Sequence, residues 1–485
     1  MLRINLNDTI AAIATPIGEG GIGIVRLSGA EALSIADKIF VSRGGATPSG
    51  YETYTTHYGW IVSQLASLPV SQLNRTTGQP DNRPTDVIDE VILTIMRAPK
   101  SYTMEDVVEI NCHGGIVPLK KVLELVLGLG ARIADPGEFT KRAFLNGRID
   151  LAQAEAVLDV IKAKTEKGLE FALLQLGGRI SGYINELKEK LLDMKVHLEA
   201  AVDFPEEELS VYTLKEIKTG LAGIKKEMEN FLKSFDSGRI IREGINCVIC
   251  GRANVGKSSL MNELLKEERV IVTPIPGTTR DAISEYINIG GIPLNIVDTA
   301  GISKTQDPLE KEGIRRSRLW LDRADLVLFM MDANSEFSDE DKEIIESIRG
   351  KEIICVINKI DLKRRLDINA SGLERYFGRM VPVAEISVLK KLNLEALLKN
   401  ISDKIWKGEV SASDYNILTN ARHRDSVLKA LDFVEEAILS LEEFRAEEMV
   451  TISLNEAIAA LGEITGASAS EEVLERIFSQ FCVGK

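Results

Sequence analysis

The stretch "GRANVGKS", Gly251–Ser258, sets two glycines, a lysine and a serine at the spacing G-x-x-x-x-G-K-[ST], directly after an apolar run. That composition suits a phosphate chain. Glycines let a loop curl until its backbone N–H groups face one anion, and a following helix N-terminus adds positive potential. Lys257 then reaches the β- and γ-phosphates, and the Ser258 hydroxyl takes Mg2+. Three further stretches extend the chemistry. "DTAG", Asp298–Gly301, offers a carboxylate for the Mg2+ shell and a glycine N–H for the γ-phosphate. "NKID", Asn358–Asp361, ends a strand-like run with a carboxylate that accepts two N–H bonds from guanine, which the reversed edge of adenine cannot supply. "GTTRD", Gly277–Asp281, lies between the first two, and Thr279 is its candidate Mg2+ ligand. In this order and spacing the four read as a GTPase of the translation-factor type.

Two details bear on hydrolysis. Ile302 follows DTAG, where Ras-like proteins place a water-orienting glutamine. Asn254 stands three residues before Lys257. Its amide oxygen near the β/γ-bridge would help hold a monovalent cation in the role of an arginine finger. The plainer alternative is a loop amide bonded to its own backbone.

These residues need elements to position them. Residues 243–408 alternate strand-like runs (Ile245–Cys250, Leu294–Val297, Leu326–Met331, Ile353–Ile357) with helix-like ones (Ser258–Leu265, Gly313–Leu321, Asp339–Ile348, Leu392–Ile405). The pattern predicts a doubly wound parallel sheet. On either side the period is helical. Leu187, Leu191, Met194 and Leu198 share one face, as do Leu428, Leu431, Val434, Ile438 and Leu441. Neither segment makes a bundle alone, so the two should pack together around the inserted sheet. Residues 1–150 mix short apolar runs (Ile10–Ala14, Ile22–Leu27, Val87–Met96, Val107–Ile110) with turns, and 65–86 reads as a loop. The fold class is therefore multidomain α/β: an α+β domain over 1–150, a discontinuous helical domain over 151–242 and 409–485, and an inserted Ras-like P-loop G domain over 243–408.

Composition sets the outer bounds. The 485 residues exceed what one core serves, and 44% apolar with 27% charged is ordinary for a globular protein. No apolar run approaches the ~20 residues that span a bilayer, and the N-terminus lacks the features of a signal peptide; the chain reads as cytoplasmic, with no membrane partner. A net charge of -14 argues against a general nucleic-acid coat but leaves room for a local basic patch. Five scattered cysteines do not make a disulfide framework. Cys247 and Cys250, formally C-x-x-C, sit in a strand-like run that points them to opposite faces, as buried thiols would be.

With these residues in hand the chain resembles the MnmE (TrmE) tRNA-modification GTPase family over nearly its whole length. The supporting stretches are "DTIAAIATPIGEGGIGIVRLSG" (8–29), "SYTMEDVVEINCHGG" (101–115), "PGEFTKRAFLNGRIDLAQAEAV" (136–157), "DFPEE" (203–207), "LTNARH" (418–423), "LGEITG" (461–466) and the terminal "CVGK". The resemblance implies a folate-binding, dimerising N-terminal domain and G domains that pair across a homodimer when GTP and K+ bind. It implies a heterotetramer with the FAD- and NADH-using partner MnmG. Together they install an aminomethyl or carboxymethylaminomethyl group at C5 of the tRNA wobble uridine (position 34), with carbon from a 5,10-methylene- or 5-formyl-tetrahydrofolate.

Residues carry over from the same resemblance. Asn254 matches a K+ ligand, joined by Thr273, Ile275 and Thr278 of the K-loop, largely through backbone oxygens. Ser258 and Thr279 match the Mg2+ ligands, and Glu310 the glutamate that orients the attacking water; Glu310, Asn254 and Lys257 would carry catalysis. GTP would lie against Asn254, Val255, Gly256, Lys257, Ser258 and Ser259. It would also meet Thr273, Pro274, Ile275, Pro276, Gly277, Thr278 and Thr279, then Asp298, Thr299, Ala300 and Gly301. Asn358, Lys359, Asp361 and Ser387 complete that set. Arg26, Glu109, Arg148 and Lys485 match folate ligands. Glu109 suits a pterin's amino and ring N–H groups, and arginines suit carboxylates or ring carbonyls.

The sequence departs from the family pattern at Met104, where glycine is usual, so that turn is expected to alter. Ala253 stands where proline is common in the P-loop, and Val388 where alanine is usual in the last guanine-contacting loop, which bears on base affinity. His113, in "CHGG", reads as structural rather than as a base. The tail is expected to reach the folate site, across the dimer or within one chain. There Lys485 offers an ammonium and Gly484 a close backbone approach. Cys482 is a candidate nucleophile toward C6 of uridine, or else a small packed residue. Two other functions stay open at this point: a ribosome-assembly or signalling GTPase that binds RNA without modifying it, and a folate-dependent one-carbon enzyme regulated by GTP.

Overall fold

The computed structural model describes residues 8–63, 86–203, 214–268, 285–298, 318–405, 417–443 and 447–485. They form two compact units: the residues up to Leu158 with Gly462–Lys485, and those from Asp159 to Leu461.

The first unit is built on strands β1 (Ile10–Ile13), β2 (Gly20–Ser28), β3 (Phe40–Ser42), β4 (Thr55–Val62), β5 (Val87–Met96), β6 (Val107–Gly114) and β7 (Arg132–Ile133). The sheet order is β3-β4-β5-β6-β2-β1-β7. It is antiparallel except for the β1–β7 pair. Helices α1 (Ala32–Asp37), α2 (Ile116–Gly128), α3 (Glu138–Leu145) and α4 (Leu151–Lys162) complete it. Alternation along β6 sends Val108, Ile110 and Cys112 into the main core, with Val122 and Val126 of α2. It turns Glu109, Asn111 and His113 to the other face. There α3 lays Phe139 against Ile10 and Ala12 of β1. The terminal helix Glu471–Phe478 packs Ile477 and Phe478 on Leu151, Ala154 and Leu158 of α4.

An ion network fixes α3. Arg142 is fully buried and donates to Asp8, Glu105 and Glu138, at 3.0 Å for Glu138 Oε1. Arg132 pairs with Asp8 at 2.7 Å and with Glu138 at 2.6 Å. The same network explains Met104. Its φ is +61°, the left-handed conformation a glycine would take. Ser28 Oγ bonds Thr103 Oγ1 and Glu105 on either side, which holds Met104 in that conformation despite its Cβ.

The second unit begins with helices α5 (Glu166–Leu176), α6 (Arg179–Asp203), α7 (Leu214–Lys233) and α8 (Phe235–Glu243). A sheet domain follows: β8 (Ile245–Gly251), α9 (Lys257–Glu268), β9 (Glu285–Ile289), β10 (Ile292–Asp298), β11 (Leu326–Asp332), α10 (Asp339–Ile348), β12 (Ile353–Asn358), α11 (Ala370–Phe377), β13 (Val383–Glu385) and α12 (Leu394–Ile405). Its order is β13-β12-β11-β8-β10-β9. The strands are parallel except β9, which runs antiparallel to β10. The expected doubly wound parallel sheet thus carries one antiparallel edge strand. Only Gly290 and Gly291 separate β9 from β10, and a two-residue turn permits a hairpin but no crossover. Of the expected helix Gly313–Leu321, the described part from residue 318 is helical. One sheet face packs on α9 and α12 through Leu260, Leu264, Leu397 and Ile401. The other packs on α10 and α11 through Ile344, Ile348, Leu373 and Phe377.

Helices α13 (Ala421–Glu442) and α14 (Glu447–Thr465) follow. Leu187, Leu191, Met194 and Leu198 of α6 are all buried, as their spacing predicts; burying one leucine fully is worth about 1.5–3 kcal/mol. Helix α7 packs against α6 and α13, and Lys225–Glu435 (2.9 Å) and Lys218–Glu442 (2.7 Å) bridge α7 to α13. The expected face of α13 holds at Leu431 and Val434, both buried, and fails at Leu428. Leu428 is 41% exposed, while Val427, Ala430, Val434 and Ala437 are buried. Small alanines allow close helix approach, and the seam turns toward them.

Candidate functional sites

The phosphate loop lies at the end of central strand β8 and opens α9 at Lys257. Lys257 is buried, and its ammonium donates to the carbonyls of Gly251 (3.0 Å) and Arg252 (2.9 Å). The loop is held from three other elements. Asn358 Nδ2, at the end of β12, donates to Val255 O at 2.8 Å. Lys359 Nζ donates to Asn254 O at 2.8 Å and to Asp332 Oδ2 at 2.6 Å. Arg252 reaches the N-terminus of α10, donating to Ser338 Oγ and Glu336 O at 3.2 Å, with Asp341 at 3.1 Å. Gly256, at φ +104°, has no alternative: a Cβ there would stand 2.4 Å from Asn358 Nδ2. Asn254 takes φ +63°, uncommon for a residue with a side chain. Ser258 and Ser259 are exposed on the first turn of α9, and Ala253 is exposed on the loop.

On the side expected for the base, Asp361 is exposed, and its Oδ1 accepts from buried Ser387 Oγ at 2.6 Å. The carboxylate keeps acceptor capacity on both oxygens for two ligand N–H groups. Val388 buries its side chain in the core below, while its N–H donates to Asn358 Oδ1 at 3.1 Å. The larger side chain is therefore taken up by the core. Asp298 ends β10 beside Ile249 of β8. Thr273, Pro274, Ile275, Pro276, Gly277, Thr278, Thr279, Thr299, Ala300, Gly301 and Glu310 lie outside the described residues. Sequence reasoning missed Asp332 and Arg252. Asp332 sits in register with Asn358, a pairing visible only once the strands are aligned.

The second site is in the first unit. Arg26 on β2 and Glu109 on β6 are register partners, joined by Arg26 Nε to Glu109 Oε1 at 2.7 Å. Both are half-buried. The Arg26 guanidinium lies 5.6 Å from the Phe139 ring centre and 6.0 Å from that of Tyr102. Arg148 stacks on Tyr102 at 4.8 Å and donates to its carbonyl at 3.1 Å. The tail closes the site within the same chain. Arg26 Nη1 donates to Gly484 O at 3.1 Å, Phe139 N donates to Lys485 O at 3.2 Å, and Gly137 N to Cys482 O at 3.4 Å. Gly484 has φ +97°, and a Cβ there would stand 2.4 Å from Ile13 O. Burial, then the neighbouring charge of Arg26, lowers the Lys485 ammonium below the ordinary lysine range. Cys482 is exposed.

Other titratable groups separate cleanly from these sites. Burial pushes the Cys112, Cys250 and Cys355 thiols up to about 12 and Cys247 higher still. Cys247 and Cys250 face opposite cores, as expected. His113 is exposed, and its ring pairs with Asp89 at 2.7 Å, a hydrogen bond that raises its pKa.

A glycine-rich strand–loop–helix on a central parallel strand, with an Asn-Lys-x-Asp run at the end of a parallel strand two places along the sheet, defines a P-loop GTPase. The comparisons narrow this class. Residues 9–148 match the model described as the GTP-binding protein TrmE N-terminus, and residues 151–482 that of the MnmE helical domain. A relative named tRNA modification GTPase MnmE from Thermoanaerobacter pseudethanolicus is 46% identical over 99% of this chain and 99% of its own. One of the same name from Bacillus subtilis is 44% identical over 99% and 100%. The chain belongs to the MnmE family of tRNA modification GTPases. A structure of Aquifex aeolicus Era bound to GDP and AlF4− is 28% identical over 42% of this chain and 69% of that one, with a TM-score of 0.28. At that score the likeness adds nothing to the fold, which rests on the strand order above. No described helix is long and apolar enough to cross a membrane.

Proposed function

We propose that this chain hydrolyses GTP in a K+-stimulated reaction that drives modification at C5 of the tRNA wobble uridine. It acts as a homodimer with an FAD-bearing partner of the MnmG type, and a tetrahydrofolate supplies the one-carbon unit. The observation that carries the reading is the convergence of Arg26, Glu109 and the 482–485 tail on one half-buried site in a chain that also holds a GTPase loop. The donor set fits a reduced folate. Glu109 accepts from pterin N–H groups, Tyr102 and Phe139 offer flat apolar faces, and Arg148 and Lys485 suit the glutamate tail.

On the nucleotide, Lys257 and the loop N–H groups neutralise the phosphates, Ser258 and Thr279 hold Mg2+, and Asp361 selects guanine. Asn254 fits a K+ ligand because it is exposed on the loop while Lys359 Nζ holds its carbonyl, and Thr273, Ile275 and Thr278 would join it. K+ there would spread the charge that develops between the β- and γ-phosphates. Glu310 orients the attacking water. The domain division at 150, 242 and 408 serves this reading, with the tail returned to the N-terminal unit.

The test is mass spectrometry of tRNA nucleosides from a deletion strain. Restoring the chain should restore a C5-modified wobble uridine, and Glu109→Gln should not. Wild-type modification in the deletion strain would refute the reading. Equal GTPase rates in K+ and Na+ would remove the cation role alone.

A further inference from the structure

Residues 387–393, "SVLKKLN", follow β13 and carry two groups of the base side, Ser387 and Val388. The loop is tight. Ser387 N donates to Leu392 O at 3.2 Å, and Leu392 N to Ser387 O at 3.0 Å. Lys391 and Asn393 both take left-handed backbone conformations, at φ +54° and +58°. Residues with a Cβ hold such conformations only where their surroundings over-determine them. Two tethers do so. Asn393 Nδ2 donates to Glu385 O at 2.9 Å. The Lys391 ammonium pairs with Glu263.

Glu263 is the unexpected member. It lies on α9, the helix opened by Lys257, and is 7% exposed. Its carboxylate is covered by neighbouring side chains at the protein surface, where a cation beside it is favourable. Lys391 provides one, and Lys266, at 3.6 Å, another from its own helix. The pair therefore ties the phosphate-binding helix to the loop that presents Ser387 and Val388. It belongs to none of the four GTPase stretches.

We infer that Glu263 and Lys391 form a positioning pair that holds the base loop against the P-loop helix and so sets guanine-nucleotide affinity. They act through Ser387 and Val388, not on the reacting phosphates. The inference rests on the reading of Asp361 as the guanine acceptor.

Glu263→Gln and Lys391→Met in the full-length chain test it, through GTP hydrolysis kinetics and stopped-flow release of a fluorescent GDP analogue. KM and the GDP dissociation constant should rise about tenfold, the scale of one charge-assisted bond, mostly through faster release. The kcat should stay within twofold of wild type, and Lys391→Arg should restore affinity. A merely structural role would lower kcat and melting temperature together at unchanged KM, and that result overturns the inference. Unchanged KM in the exposed Lys391→Met variant overturns it even where Glu263→Gln folds poorly. Asp361→Asn, run alongside, should move preference from GTP to XTP. If it does not, the guanine reading falls and this inference with it, whereas a shift there with normal KM in the pair variants sinks the pair alone.

Discussion

The two candidate sites are assembled in opposite ways. At the phosphate loop, Lys257 bonds carbonyls five and six residues away, so one contiguous stretch carries most of the chemistry. At the other site, Arg26 meets partners 83 and 458 positions away, and no window of sequence contains the constellation. A site made by local chain geometry can be read as a motif. A site made by strand register and a docked tail can be read only through the fold or a relative.

The comparison also predicts that the two ligands bind independently in the isolated protein. Lys257→Ala should lower kcat for GTP about 10³-fold in a phosphate-release assay yet leave calorimetric binding of 5-formyl-tetrahydrofolate unchanged. Loss of both would show the sites to be coupled at rest. Asp361→Asn should weaken GTP about 100-fold, as two charge-assisted bonds are lost, again without touching folate. Glu109→Gln should weaken folate about tenfold and leave kcat for GTP unchanged. Folate affinity should fall as pH rises through the Lys485 pKa, which burial and Arg26 place below the lysine range; the ammonium is present only below that pKa. The smallest effect is on accessibility. One thiol per folded chain, Cys482, should react with a disulfide reagent at pH 8, and five after denaturation. Prompt reaction of a second thiol would show that one of the three cores holding the four buried cysteines opens.

Legibility follows the same division. The strands β8, β10, β11 and β12 and the α6 seam were plain because apolar runs and helical spacing record them directly. The hairpin strand β9 is not recorded that way, because only the Gly290-Gly291 turn distinguishes its antiparallel pairing from a crossover. On α13, Leu431 and Val434 mark the buried face as their spacing predicts, and Leu428 falls outside it because Val427, Ala430 and Ala437 take the seam. Arg252, Asp332, and the Glu263–Lys391 pair depend on which loops meet in space. Met104 shows the reverse limit: Ser28, Glu105 and Arg142 hold its backbone in a left-handed conformation despite its Cβ.

The tail has a consequence for biosynthesis. Arg26 and Gly484 are 458 positions apart, so at ~5–20 residues per second roughly 20–90 seconds separate their emergence from the ribosome. Through that interval the N-terminal sheet can form and pair Arg26 with Glu109, yet the wall contributed by Gly484 and Lys485 is still missing. A chain halted by a premature stop would keep its GTPase loop and lose this wall. The wall that Gly484 and Lys485 contribute is therefore the last part of that site to be made.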